Sequence, residues 1–394
     1  MKIVYCCADP GVPAFGHKGC SLHIQEMLRA MGRKANQLVL LSNRPGGPPP
    51  EDLGQVIVEP LPELPKGDDA RRELAALAAN RDLALAMRAH GDCGLYYERY
   101  SLWSYAGLQA AHLAGIPTVL EVNAPLIDEQ RRYRSLHNPD IAYQCARKAF
   151  AASEVIAAVS AEVAQWLDTF AETRGKVHVV PNGVNTHRFS PEVPASLPAC
   201  PGEFTVGFVG NLRPWHGVEN LLEGFALLVR LFPASRLLVV GNGPELEHLK
   251  KRAREWGIAP RVAFVGAVAP DRVPGLLTSM DVAVAPYPDL SEFYFSPLKV
   301  YEYMAAGRPV VASRIGQLEG LIEHGYDGLL CEAGNPQSLA DALAGLKASP
   351  ARRGRMGRRA RAKVCAHHTW NAVADRVLRL ATPHRRWTGI SGTG

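Results

Sequence analysis

Apolar residues along this chain fall into short runs of strand length, separated by stretches with helical spacing. Lys2-Ile3-Val4-Tyr5-Cys6-Cys7 reads as an opening strand. A glycine-containing loop follows, then a helix whose apolar residues include Leu22, Ile24, Met27 and Leu28. Tyr96, Glu98, Arg99 and Tyr100 end a further strand, and Thr118-Val119-Leu120-Glu121-Val122-Asn123 is another that finishes in polar residues. In the second half, Thr205–Val209, Val239-Val240, Val262–Val265, Asp281–Ala285 and Val310-Val311 have the buried-strand pattern, while Leu221, Leu222, Phe225, Leu228 and Val229 form one apolar helix stripe. Strand and helix alternating in this way predict a doubly wound α/β architecture in both halves. Phe189 to Glu203 has no periodicity and contains Pro191, Pro194, Pro198 and Pro201, so it reads as a linker. The expected division is a first domain over 1–190, a linker over 191–202, a second domain over 203–366, and a terminal segment over 367–394 with a helix through Thr369–Leu378 and a loose tail from Thr382.

Composition supports two cores. The chain has 394 residues, beyond one ordinary domain, and is 47% hydrophobic and 21% charged. No apolar run reaches the ~18 residues of a membrane span, and the first residues pass straight into a strand with no signal-peptide pattern. The eight cysteines are scattered without a Cys-x-x-Cys pair, which points to reduced thiols, a cytoplasmic protein and no zinc site. Much of the net charge of +6 sits in the run from Arg352 to Lys363. A solvated helix face explains it, with peripheral contact to anionic lipid as the alternative. Aromatic interleaving is absent there, which sets nucleic acid aside.

Candidate chemistry gathers where strands run into helices. Ser296 and Pro297 have the residue types of a helix start, whose free N–H groups and dipole suit a phosphate. Lys299 adds positive charge in the first turn, and Glu302, three residues on, offers a carboxylate to a pair of vicinal hydroxyls. A capped surface helix with a Lys299–Glu302 pair explains the same residues. Asn211–Gly217 is a basic loop between a strand and a helix, with Arg213 and His216 as cations; His216 would contribute in a pH-dependent way, or serve only as a hydrogen-bonding neighbour of Trp215. In the first loop, Gly16 and Gly19 let backbone approach a ligand that His17 or Lys18 could reach, unless the loop is merely flexible. Tyr96, Glu98, Arg99 and Tyr100 are candidates for an acceptor pocket, with a buried Glu98–Arg99 salt bridge as the plain alternative.

The stretch from Phe295 to Val311 resembles the C-terminal signature of the family-4 retaining glycosyltransferases: a Glu, seven residues, a second Glu, a helix of small residues and a Gly-x-Pro-Val-Val strand. Glu302 matches the second Glu, which in the family holds the nucleotide ribose. The first Glu falls at Tyr294, with Glu292 two residues away, so the resemblance implies altered recognition of the donor sugar. Ser296, Pro297, Leu298 and Lys299 form a variant donor loop. Arg213 matches a diphosphate-binding cation of the family, and His216 replaces a Lys. Val180-Pro181-Asn182-Gly183-Val184 resembles the family's Pro-Asn-Gly-Val segment. Gly241-Asn242 resembles the turn near the nucleotide, Val265-Gly266 the base pocket, and Asn123 stands where members often carry a sugar-contacting His. By the same resemblance the loop from Gly16 to Gly19 lies across from the diphosphate.

The resemblance implies the GT-B fold: two Rossmann-like domains facing a central cleft, with the last helix crossing back to the first domain. It also implies transfer of a sugar from a nucleoside diphosphate to an acceptor hydroxyl with retention, without a protein nucleophile, cleft closure completing the site. No Asp-x-Asp occurs, so neither a metal nor a cofactor is expected beyond the nucleotide sugar, for which UDP is the default base. The expected acceptor is a small polar or natural-product molecule such as an aminocyclitol, whose amine Glu98 or Glu121 could meet. The alternatives are a lipid-linked glycan or phospholipid at a membrane surface, and a non-catalytic partner that binds a nucleotide sugar. Gly241-Asn242-Gly243-Pro244-Glu245-Leu246 lacks the third Gly of a dinucleotide fingerprint, which counts against a dehydrogenase. A nucleotide-sugar epimerase is not expected to carry the segment that ends in Glu302.

Overall fold

The computed structural model describes residues 1–65, 67–294 and 296–382; Phe295 and the tail from 383 lie outside the described residues. Two α/β units divide the chain. The first holds Met1–Asn182, Tyr294, Ser296 and the final helix Trp370–Ala381; the second holds Gly183–Phe293 and Pro297–Thr369.

The first unit is built on seven parallel strands: β1 (Lys2–Cys7), β2 (Gln37–Ser42), β3 (Ile57–Pro60), β4 (Leu95–Arg99), β5 (Thr118–Val122), β6 (Val155–Ala158) and β7 (Val177–Val179). Their order is 3-2-1-4-5-6-7. Ile3 through Cys7 are all buried, as a strand covered on both faces requires. The chain winds outward from β1 to β3, then returns to β4 on the other side of β1. Loops after β1 and β4 therefore diverge and leave a crevice at the carboxyl ends of the strands. The final helix packs on the first helix, Gly19–Gly32, with Lys34 2.6 Å from Asp375, Arg33 donating to Asn371, and His23 edge-on to Trp370.

The second unit has six parallel strands: β8 (Phe204–Val209), β9 (Ser235–Val240), β10 (Val262–Gly266), β11 (Val282–Ala285), β12 (Val310–Ser313) and β13 (Gly328–Cys331). Their order is 10-9-8-11-12-13, so its crevice opens between β8 and β11. The predicted apolar stripe buries Leu221, Leu222, Phe225 and Leu228 against this sheet, with Val229 half-buried at its margin.

Two expectations change. The Pro-rich stretch is pinned to the second unit: Ser196 N–H donates to Gly275 O, Leu197 N–H to Ser279 Oγ, and Arg236 to Leu197 O. Proline removes donors, and the few that remain are satisfied by that unit, so the boundary falls at Asn182 instead of near 190. The basic helix Pro350–His367 is also more than a solvated face. Arg353 pairs with Asp281 and lies over Phe204, Arg361 donates to the carbonyls of Phe189 and Ala305, and Lys363 pairs with Asp327. Arg355, Arg358 and Arg359 stay exposed. Among the described residues no helix is long and apolar enough to cross a membrane.

Candidate functional site

At the β8–β11 crevice the loops after β8, β9 and β10 are stitched together by backbone. Gly210 N–H donates to Val240 O, Leu212 N–H to Asn242 O, and Gly241 N–H to Gly266 O. Gly241, at φ +139, is forced by this stitching, since a Cβ there would stand 1.9 Å from Gly210 O. Gly241 thus serves loop packing directly and a ligand only by shaping the floor. Asn242 is exposed, with its Oδ1 taken by Gly243 N–H; Val265 and Gly266 are half-buried at the end of β10.

Lys299 dominates the site. The residue is half-buried, but its Nζ is shut off from solvent and has no hydrogen-bond partner among the described residues. The ammonium lies 4.4 Å from the ring centre of Phe208 at the end of β8 and 5.4 Å from that of Tyr287 just after β11. Gly210 makes room for it: a Cβ at that residue would fall 2.8 Å from Nζ. Ring faces attract a cation but do not replace the lost water. Burial consequently lowers the Lys299 pKa to about 7 against the opposing pull of Glu302. The Tyr303 hydroxyl braces this corner, accepting from Val209 N–H and donating to Val209 O.

His216 departs from its expected role. Burial, then the neighbouring charges of Lys299 and Arg213, hold its pKa down at about 4, with the Asn211 carbonyl opposing. It is neutral near pH 7, so it is no substitute cation. Its Nδ1 faces Asn211 O, a group that only accepts, so Nδ1 carries the proton and Nε2 presents a lone pair. Arg213 stays exposed, 5.5 Å from the ring centre of Trp215. The predicted start at Ser296 and Pro297 shifts as well. The helix is Leu298–Ala305, with Pro297 as its cap residue and no side-chain cap, and the Ser296 Oγ is buried without a partner among the described residues. Its first N–H groups are thereby not closed off by a capping side chain. Glu302 lies half-buried one turn along.

In the first unit the predicted residues separate sharply. Glu98 and Glu121 are 0% and 6% exposed, so neither is placed to meet an acceptor. Glu98 accepts from Tyr96 and Ser104, and burial raises its pKa to about 7. Arg99 pairs with Glu121 and not with Glu98. Burial pushes Glu121 up, but His23, Arg99 and Tyr97 outweigh it and hold the carboxyl at about 2. Adjacent residues of a strand point to opposite faces, so Glu98 and Arg99 could not pair. His17, Lys18 and Gly19 are exposed; Gly16 sits in a tight turn where a Cβ would meet Pro13 at 2.7 Å. Asn123 is half-buried just beyond β5, its Nδ2 without a partner among the described residues. Tyr294 donates 2.6 Å to Glu129 within the first unit.

Sequence reasoning missed Phe208, Tyr287 and Tyr303 around Lys299, and also a cavity of about 380 Å³ at the β1–β4 crevice, lined among others by Asp9, Trp103, Glu129 and Arg134. The available signal was position: each lies at or just past the carboxyl end of a strand, or on the helix that follows.

The model of the family described as Glycosyltransferase Family 4 matches residues 18–188, and that described as Glycosyl transferases group 1 matches 203–348. The chain belongs to glycosyltransferase family 4. A D-inositol 3-phosphate glycosyltransferase of Acidothermus cellulolyticus is 27% identical over 404 residues, 94% of this chain and 85% of its own. A GDP-mannose-dependent alpha-(1-6)-phosphatidylinositol monomannoside mannosyltransferase of Mycobacterium tuberculosis is 30% identical over 207 residues, 50% of this chain and 54% of its own. Against several such relatives the chain spans only about half of their length. The Anabaena protein HepE, solved in complex with UDP, superposes with a TM-score of 0.72 over 97% of this chain and 100% of its own at 18% identity, which shows the shared GT-B fold.

Proposed function

We propose that this family-4 glycosyltransferase moves a sugar from a nucleoside diphosphate to a hydroxyl of a small polar acceptor, and that the β8–β11 crevice binds the diphosphate. The observation that carries this is Lys299, whose ammonium is buried at the crevice of the sheet with no hydrogen-bond acceptor among the described residues. A buried, unpaired cation is costly unless an anion completes it. Family membership supports a nucleotide sugar as that anion's source, and the UDP bound by HepE supports UDP.

Each group has a task in this reading. As the bond between the anomeric carbon and the phosphate oxygen breaks, its electron pair goes to the diphosphate, where Lys299 and Arg213 meet the growing charge. The acceptor oxygen forms its bond to the anomeric carbon, and its proton passes to a diphosphate oxygen on the same face, which retains configuration. The two cations supply the charge without a metal. Glu302 accepts from the ribose hydroxyls. His216, through Nε2, accepts from a hydroxyl of the donor sugar, in keeping with the absence of a Glu at Tyr294. The inositol-phosphate relative supports a ring polyol as acceptor class. A lipid acceptor is favoured by the mannosyltransferase relative together with the exposed Arg355, Arg358 and Arg359.

Isothermal titration with UDP, GDP, TDP and NAD, with and without magnesium, tests the site. Metal-independent binding of one diphosphate, weakened in Glu302→Ala, is expected. Binding of NAD alone, or no diphosphate binding, would overturn the reading.

A further inference from the structure

Tyr303 sits where the second sheet splits, and its hydroxyl stands where a strand is absent. β11 pairs with β8 at Val206 and Gly207, while β8 runs on to Val209. On its other side β8 keeps β9 to the end: Val209 registers with Val240, and Gly210 N–H donates to Val240 O. In a parallel ladder the N–H and C=O of one residue face the same neighbour, and successive residues face opposite neighbours. Gly210 serves β9, so Val209 faces the side that β11 has left. Main-chain groups there need partners. The Tyr303 hydroxyl supplies both, accepting from Val209 N–H at 2.8 Å and donating to Val209 O at 3.1 Å. Tyr303 is fully buried, and burial holds its phenol well above the ordinary range, so it keeps the proton that it donates.

Lys299 lies four residues earlier on the same helix, and hence on the same face. Its ammonium and the Tyr303 hydroxyl converge on one stretch of β8 backbone. Nζ lies 4.4 Å from the ring centre of Phe208, one residue before Val209, and 2.8 Å from where a Cβ at Gly210 would stand, one residue after. Val209 O thus belongs to the residue between the two contacts, next to a flexible lysine stem. That oxygen accepts from Tyr303, and Nζ makes no hydrogen bond among the described residues. The charged and titratable groups around Lys299 are Glu302 on its own helix, His216 and Arg213 on the loop after β8, and Tyr287 just after β11. Glu302 favours the charged ammonium, but burial outweighs it.

We propose that Tyr303 is a positioning residue for the transfer: by occupying the open edge of Val209 it holds the strand fork in shape and withholds Val209 O from Lys299, leaving the ammonium for the diphosphate. The inference rests on the diphosphate reading of this crevice. It gives the phenol oxygen a task that packing does not, since a phenylalanine fills nearly the same space without it.

The test compares Tyr303→Phe with the unaltered full chain in two ways. First, the empty protein is labelled with a heavy carbon isotope at lysine Cε, the Lys299 signal is assigned from Lys299→Met, and the signal is followed by NMR from about pH 6 to 11. The freed carbonyl stabilises the ammonium, so the Lys299 midpoint is expected to rise by about one pH unit or more in Tyr303→Phe. Second, UDP is titrated near neutral pH. Its affinity is expected to fall about tenfold in Tyr303→Phe, because the carbonyl now competes for the ammonium. Adding the same change to Lys299→Met is expected to alter UDP affinity by no more than about twofold. A merely structural hydroxyl lowers stability and leaves the Lys299 midpoint where it was; that result would overturn the proposal, as would an equal loss of UDP affinity with and without Lys299. If Tyr303→Phe does not fold, the unaltered protein still decides, through deuterium exchange at Val209 N–H. Slow exchange supports the brace, and fast exchange at this strand end would overturn it. Failure of UDP to bind the unaltered protein would instead strike the diphosphate reading, because the lysine titration is made on the empty protein and judges the hold on Val209 separately.

Discussion

Both units bury charge at the carboxyl ends of their central strands, with opposite bookkeeping. In the first, Glu121 lies 2.5 Å from His23 and 3.4 Å from Arg99, and Glu98 is closed by two hydroxyl donors. In the second, Lys299 has two ring faces and, among the described residues, no hydrogen-bonding partner. Carboxylates look more like catalytic groups in a bare sequence, yet these are saturated by the fold. A buried charge whose partners are present belongs to the scaffold; one whose partner is missing belongs to a ligand.

The sharpest test of that contrast sets Arg99→Met against Lys299→Met. Removing Arg99 leaves Glu121 deprived of a buried partner and is expected to destabilise the protein by about 3–5 kcal/mol in urea unfolding. Removing Lys299 strands no hydrogen-bonding partner, so stability should be unchanged or higher, while turnover falls by about 10²–10³ if it serves the leaving diphosphate. Comparable destabilisation of the two variants would break the distinction.

Glu98 gives the next largest effect, through pH. Its folded pKa of about 7 stands above the ordinary 4.5, so the folded state binds the extra proton between those values. Stability from this group is fully present below pH 4.5 and is lost as pH rises to 7, by roughly 3 kcal/mol. Glu98→Gln should flatten that part of the stability profile; an unchanged slope would show that the carboxyl is not the group titrating.

Lys299 runs the other way. Its folded pKa of about 7 is below the ordinary 10.5, so the unfolded chain holds more protons between pH 7 and 10.5 and the empty protein gains stability across that window. Diphosphate binding needs the charged form. Affinity for UDP should therefore fall above pH 7, approaching tenfold per unit, with proton uptake visible in calorimetry in buffers of different ionisation enthalpy. A flat profile from pH 7 to 9 would remove Lys299 from the diphosphate site.

The smallest expected change comes from His216. Because it is neutral near pH 7, His216→Gln should alter UDP affinity by less than about threefold between pH 6 and 8 and act mainly on donor-sugar discrimination, the loss of one neutral hydrogen bond. A large loss of UDP affinity would restore the cationic role that the sequence pattern offered.

What the chain determines locally is legible in the sequence. The βα alternation, the helix stripe from Leu221 to Leu228 and the Lys299–Glu302 segment depend on neighbours a few residues apart, and periodicity reports those directly. Tertiary structure decided the rest, because pairing of charges depends on strand order and facing and not on sequence distance. Glu121 is next to Arg99 because β4 pairs with β5, and it meets His23 from a helix 98 residues earlier in the chain. Asp9, Trp103 and Glu129 come together only because the first sheet reverses direction at β1 and β4. The sequence sets which charges exist; burial and strand order decide which of them are left without a partner.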